Sequence, residues 1–192
     1  MMPYGTILRG IINMKELFTI LNNKKSGVTL IELLLYIAIF SIVITAVVSV
    51  AISATAQRVR NNAVAEVDYQ GEAVMSYITQ TIRNSQSVNT PLANNSAGSL
   101  SVNGLNATNN PAVFDTVNDG LRQRIRVREG SPPTDNFLTN NRVTVTSINF
   151  TNSTIVGGRD SIKIQFTLQY YNPSGRPELN YQKTFYSGAT LR

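Results

Sequence analysis

The sequence predicts an α+β protein, with a long N-terminal helix, half membrane-spanning and half amphipathic, packed on a C-terminal antiparallel β-sheet head. Three observations predict it. From Val28 to Ala56 the only charged residue is Glu32, in a run about twice the apolar core of a secretory signal peptide. After Ala56 the residues Val64, Val67, Gly71, Val74, Ile78 and Ile82 recur every third or fourth position, which marks one face of a helix. From Ser161 to Tyr171 the residues Ile162, Ile164, Phe166, Leu168 and Tyr170 alternate with Lys163, Gln165, Thr167 and Gln169, the period-two pattern of a half-buried strand.

No proline interrupts the chain between Val28 and Thr90. One continuous helix of about 57 residues, roughly 85 Å long, therefore accounts for the apolar run and the amphipathic stretch together. The apolar part alone measures about 43 Å, more than the ~30 Å hydrocarbon core of a bilayer. Arg58, Arg60, Glu66, Asp68, Glu72 and Arg83 supply the polar surface of the second half. Gly71 lies on the apolar stripe, where it either admits a closely packed sheet or is merely tolerated at about 1 kcal/mol relative to Ala. Arg9, Lys15, Lys24 and Lys25 precede the span, and only Arg58 and Arg60 follow it closely. This asymmetry predicts a single-pass protein of the cytoplasmic membrane, with its N-terminus in the cytoplasm and its head outside. Both Met1 and Met14 are available as starts.

Residues Asn84 to Asn110 are rich in Asn, Ser, Thr and Gly. The composition reads as an exposed connecting loop, with a short strand around Ser99 to Val102 at most. Strands are expected at 112–117 and 121–128, joined across the turn Asn118-Asp119-Gly120. Further strands are expected at 142–150, at 161–171 and, after the turn Asn172 to Pro177, at 179–187.

The chain has no Cys and no His, which removes the commonest thiol nucleophile, general base and zinc ligands. No catalytic residue, metal or cofactor is predicted, and the expected class is not an enzyme. Asp115, Asn118 and Asp119 offer oxygens, but their spacing is not that of a calcium loop and the turn already explains Asp-Gly. The formal net charge is +6, and the basic residues before Gly27, set against Glu16, account for three of those charges. Arg122, Arg124, Arg126 and Arg128 fall on one face of a strand opposite Leu121, Ile125 and Val127. Such a ladder could bind phosphate anions. A solubilising sheet face is the favoured reading, and DNA is the weaker one, because no aromatic platform accompanies the arginines. Sequons begin at Asn94, Asn106, Asn149 and Asn152, at a frequency that abundant Asn and Thr explain by chance.

Glu32 is the residue that composition alone leaves unexplained. A carboxylate inside a membrane helix costs roughly 2.5 to 3.5 kcal/mol at the centre, and less near the positive end of the helix dipole. The run Lys24-Lys25-Ser26-Gly27-Val28-Thr29-Leu30-Ile31-Glu32-Leu33-Leu34-Leu35 resembles the class III signal of type IV pilin-like proteins, over about the first third of the chain. The resemblance implies that a prepilin peptidase cuts between Gly27 and Val28, behind the basic flank Lys24 and Lys25, and that Val28 is then N-methylated. Glu32 would be the fifth mature residue, which in that family pairs with the N-terminal amine of a neighbouring subunit during filament assembly. The usual first mature residue is Phe, and here it is Val.

Main fibre subunits carry a helix-bending proline where Ser49 stands here, so the resemblance is to a minor pilin or J-type minor pseudopilin. It implies a structural subunit of a type IV pilus or type II secretion-like filament, at the cell surface or in the periplasm. Its implied partners are other pilin or pseudopilin subunits, an inner-membrane assembly platform and, before assembly, membrane lipid. The expected organisation is a leader at 1–27, a transmembrane half-helix at 28–56, an amphipathic half-helix at 57–85 and a β-rich head at 86–192. The alternative is a permanently anchored surface binding module that does not polymerise.

Overall fold

The computed structural model describes residues 27–154 and 158–191. Most of the expected leader, including Lys24 and Lys25, lies outside the described residues. Helix α1 runs from Leu30 to Arg83, 54 residues without a break. Thr29 caps it: its hydroxyl accepts the Glu32 N–H at 3.3 Å, and its carbonyl accepts the Leu33 N–H at 3.1 Å. The hydroxyl thereby satisfies one of the orphan donors of the first turn, and the carbonyl accepts the first bond of the helical ladder. Arg83 in the last turn complements the negative end of the helix dipole.

The chain divides into two units at Val50 and Ala51. In the first, every described side chain is exposed. In the second, α1 buries Ala63, Val67, Gly71, Val74, Ile78 and Ile82. Ala63 takes the place expected for Val64, which is only half-buried. The steps of four, four, three, four and four residues follow the 3.6-residue turn.

The head holds two antiparallel sheets where one was expected. The first has the order β1-β3-β4-β5-β6 and the second β2-β7-β8-β9. Their strands are β1 (Ser85–Thr90), β2 (Ser96–Ala97), β3 (Leu100–Gly104), β4 (Ala112–Asn118), β5 (Gln123–Glu129), β6 (Thr134–Phe137), β7 (Val143–Asn152), β8 (Ser161–Tyr170) and β9 (Gln182–Thr190). Thr144 on β7 ties the sheets together: its hydroxyl accepts the Gln123 N–H at 3.2 Å and donates to the Gln123 carbonyl at 3.4 Å. Both sheets and α1 feed one core, which includes Val74, Ile78, Phe114, Ile125, Phe150, Phe166 and Leu168.

Three expectations are corrected. Residues 84–110 are not a connecting loop but supply β1, β2 and β3. Leu100 and Val102 are buried, while Asn89 and Asn103 bond each other on the exposed side at 3.0 and 3.1 Å. Polar side chains that satisfy one another across strands let a poorly apolar stretch form a sheet.

Leu121 and Arg122 precede β5 instead of opening it, and Leu121 is exposed. Asp119 accepts the N–H groups of both residues, and Gly120 adopts a φ of +91°, so the turn runs from Asp119 to Arg122. The last strand begins at Gln182, three residues later than expected, because Pro177–Leu179 form a 3₁₀ turn. Strand β6 is an addition that the sequence pattern did not announce.

Gly71 settles its two readings by contact. A Cβ at this position would overlap the Phe185 ring, and Phe185 in turn stacks on Phe166 at 5.3 Å between centroids. Overpacking of this kind costs about 1 to 3 kcal/mol, against at most about 1 kcal/mol gained in helix propensity. Gly71→Ala should therefore lower stability by about 1 to 2 kcal/mol in urea unfolding of the detergent-solubilised chain. Adding Phe185→Leu should recover part of the loss; simple additivity of the two losses would show that the ring is not what Gly71 accommodates.

Candidate functional site

Among the described residues, α1 is the one helix long and apolar enough to cross a membrane. Its apolar residues from Leu30 to Val50 are exposed all round, a pattern suited to lipid or to neighbouring helices and not to a water-facing surface. Gly27 and Val28 lie just before it, and Val28 is exposed. Glu32 follows one helical turn later, in the first turn of the helix. The Tyr36 hydroxyl donates to Glu32 Oε1 at 2.8 Å. The residues of the expected processing and assembly site are thus brought together by local helix geometry alone.

Two participants escaped the sequence reading, although each had a signal. Thr29 and Glu32 form the Thr-x-x-Glu spacing of a helix start, and Glu32 and Tyr36 stand at the i,i+4 spacing of helix neighbours.

The four arginines do share a face, and it is a face crowded with carboxylates. Asp115 on β4 receives Arg126 Nε at 2.7 Å and Arg128 Nη2 at 2.7 Å. Asp135 on β6 receives Arg126 Nη1 at 2.8 Å. Asp119 lies 3.5 Å from Arg122 and 3.9 Å from Arg124. Two further donors are used: Arg122 reaches the Asn141 carbonyl and Arg124 the Thr139 carbonyl, each at 2.6 Å. Arg124 lies over the Phe137 ring at 4.0 Å and Arg122 over Tyr171 at 4.8 Å. These guanidiniums cross-link β4, β5, β6 and the 138–142 loop. An incoming phosphate would have to displace carboxylates already in place.

Asp115, Asn118 and Asp119 likewise spend their oxygens internally, Asn118 on the Gly120 N–H and the two aspartates as described. Of the sequon asparagines, Asn152 is buried and its amide donates to the Pro91 carbonyl at 3.1 Å. On the helix, Glu66 takes the Asn140 amide at 2.5 Å and lies 3.4 Å from Arg142. Asp68 takes Lys183 at 3.0 Å, and this bond is the first cause that raises the Lys183 pKa above its ordinary value. Both acidic residues expected on the open surface instead tie α1 to the head.

A family model described as the prokaryotic N-terminal methylation motif matches residues 22–48. No curated protein and no solved structure matches the chain. The chain therefore carries a type IV pilin-like prepilin signal, the signal of a processed precursor in the pilin family, and the motif points to a structural protein and not to an enzyme. The signal and the apolar helix together fit a membrane-anchored protein. The motif implies processing by a prepilin peptidase and assembly with other pilins.

The arginine face makes the head sensitive to acid. Burial opposes the charged form of Asp119, but the N–H groups of Leu121 and Arg122 and the Arg122 guanidinium outweigh it and hold the carboxyl below its ordinary value. A carboxyl lowered by folding contributes stability that is fully present above its unfolded pKa and is lost as pH falls through the folded value. Asp119→Asn should thus unfold at lower urea than wild type at neutral pH, and the gap should close as pH falls below about 4. A gap independent of pH would mean that the charge of Asp119 does not stabilise this turn.

Proposed function

We propose that the chain is a minor pilin or minor pseudopilin, a structural subunit that is cut between Gly27 and Val28, methylated at Val28 and recruited into a type IV pilus or type II secretion-like filament. The observation that carries the reading is Glu32, the one charged residue between Val28 and Ala56, held in the first turn of a helix whose apolar surface is otherwise continuous. A membrane anchor has no use for a carboxylate there. A helix that must find a neighbour's N-terminal amine does, because each charge is costly alone in an apolar bundle and tolerable as a pair.

Ser49 stands where main fibre subunits carry a helix-bending proline, which supports a minor subunit over a main fibre subunit. The arginine face, already largely compensated by Asp115, Asp119 and Asp135, supports a structural head over one that captures DNA. The partners under this reading are the prepilin peptidase, an assembly platform in the inner membrane and other pilin or pseudopilin subunits. The head lies outside the cytoplasmic membrane before assembly.

Two measurements test the reading. Mass spectrometry of mature protein should find an N-terminus at Val28 carrying a methyl group. An intact leader in membranes with active prepilin peptidase would leave the permanent anchor as the better account.

The second test is Glu32→Ala, which should insert into membranes as well as wild type, since it removes the sole charge of the segment. Its incorporation into filaments should fall by about a hundredfold or more, because removing one partner of a buried pair typically costs about 3 to 5 kcal/mol. Recovery of the variant in sheared filaments at wild-type levels would eliminate pairing through Glu32.

A further inference from the structure

We propose that Tyr36 is a positioning residue for the Glu32 carboxylate. Its phenol occupies one carboxylate oxygen within the subunit and leaves the other oriented for an ammonium group from a second copy of this chain. The inference rests on the assembly role of Glu32 given above. Its basis is the bond from the Tyr36 hydroxyl to Glu32 Oε1 at 2.8 Å, between side chains four residues apart on an exposed stretch of helix.

Side chains at this spacing lie one above the other on the same helix face. Glu has three rotatable side-chain bonds and loses considerable freedom when fixed, whereas a tyrosine hydroxyl sits at the end of a rigid ring. Thr29 holds the other end of the arrangement by accepting the Glu32 N–H. The carboxylate is thereby anchored through its backbone and through Oε1, and among the described residues no hydrogen bond reaches Oε2.

Two consequences follow for a carboxylate in apolar surroundings. A charged oxygen without a donor is expensive there, so the phenol lowers the cost of carrying Glu32 through lipid before any partner is present. A carboxylate can accept about four hydrogen bonds, so the phenol does not compete with an incoming ammonium for the second oxygen. It reduces the rotameric freedom that pairing would otherwise have to remove. An aromatic ring near a membrane boundary can also serve simply as an interfacial anchor. That role needs the ring and the amphipathic body, and it does not require the hydroxyl to meet Glu32.

Tyr36→Phe separates the two roles, because it keeps the ring and deletes the donor. The full chain is compared as wild type, Tyr36→Phe, Glu32→Ala and the double variant, reading the ratio of subunit in sheared filaments to subunit in the membrane pool. Tyr36→Phe should lower the ratio about threefold to tenfold, the scale of the typical net contribution of one hydrogen bond, and should have no further effect in the Glu32→Ala background. A wild-type ratio for Tyr36→Phe alongside a depressed one for Glu32→Ala would overturn the role of Tyr36 and leave that of Glu32 standing. Equal losses from Tyr36→Phe in both backgrounds would overturn it as well, and a wild-type ratio for Glu32→Ala would remove both roles together.

A second measurement does not depend on assembly. In phosphatidylglycerol–phosphatidylcholine vesicles, the tyrosine Fermi doublet in the Raman spectrum reports whether a phenol donates a hydrogen bond. The difference between the full-length wild type and Glu32→Ala should show one tyrosine leaving the donor state. A difference spectrum flat across the doublet would overturn the proposal.

Discussion

A single unbroken helix has to satisfy two different surroundings, and the rest of the structure follows from that constraint. Within α1 every backbone donor and acceptor beyond the first and last turns is bonded internally, the condition that permits a segment to enter a bilayer. From Leu30 to Val50 apolar side chains stand on all sides, with Glu32 the sole charge among them. From Ala63 to Ile82 the apolar residues contract to one stripe, and the remaining surface carries charge. The same hydrogen-bond ladder is thus dressed first for lipid or neighbouring helices and then for a folded head.

Within the head, the stripe dictates the packing. Gly71 at its middle leaves room for Phe185, whose ring stacks on Phe166. Tyr77 meets Phe114 edge to face at 6.1 Å, so the helix draws on both sheets. Ion pairs at the edge of the stripe, Glu66 with Arg142 and Asp68 with Lys183, set the register of the helix against the strands. Pairs this exposed contribute little energy individually. Their placement matters more than their strength, because each joins residues over a hundred or nearly eighty positions apart in sequence.

The N-terminal end of the helix works by a different logic, in which every contact is local. Thr29, Glu32 and Tyr36 are related by spacings of three and four residues and need no tertiary structure to meet. This locality is why the resemblance to a prepilin signal could be read from a dozen residues, while the head matched nothing.

The sequence by itself determined the helix, its apolar and amphipathic halves, the isolated carboxylate, the strands β4, β7 and β8, and the single face of the four arginines. Those features rest on short-range periodicity, which survives without knowledge of any partner. Tertiary structure alone decided that residues 84–110 would be strands, that the head would have two sheets, and that β6 would exist at all. It also decided the fate of the arginine ladder. The sequence places Asp115, Asp119 and Asp135 at intervals that give no hint of a shared face. Strand pairing sets Asp115 opposite Arg126 and Arg128 opposite Asp135, so a face that looked cationic in one dimension is largely compensated in three.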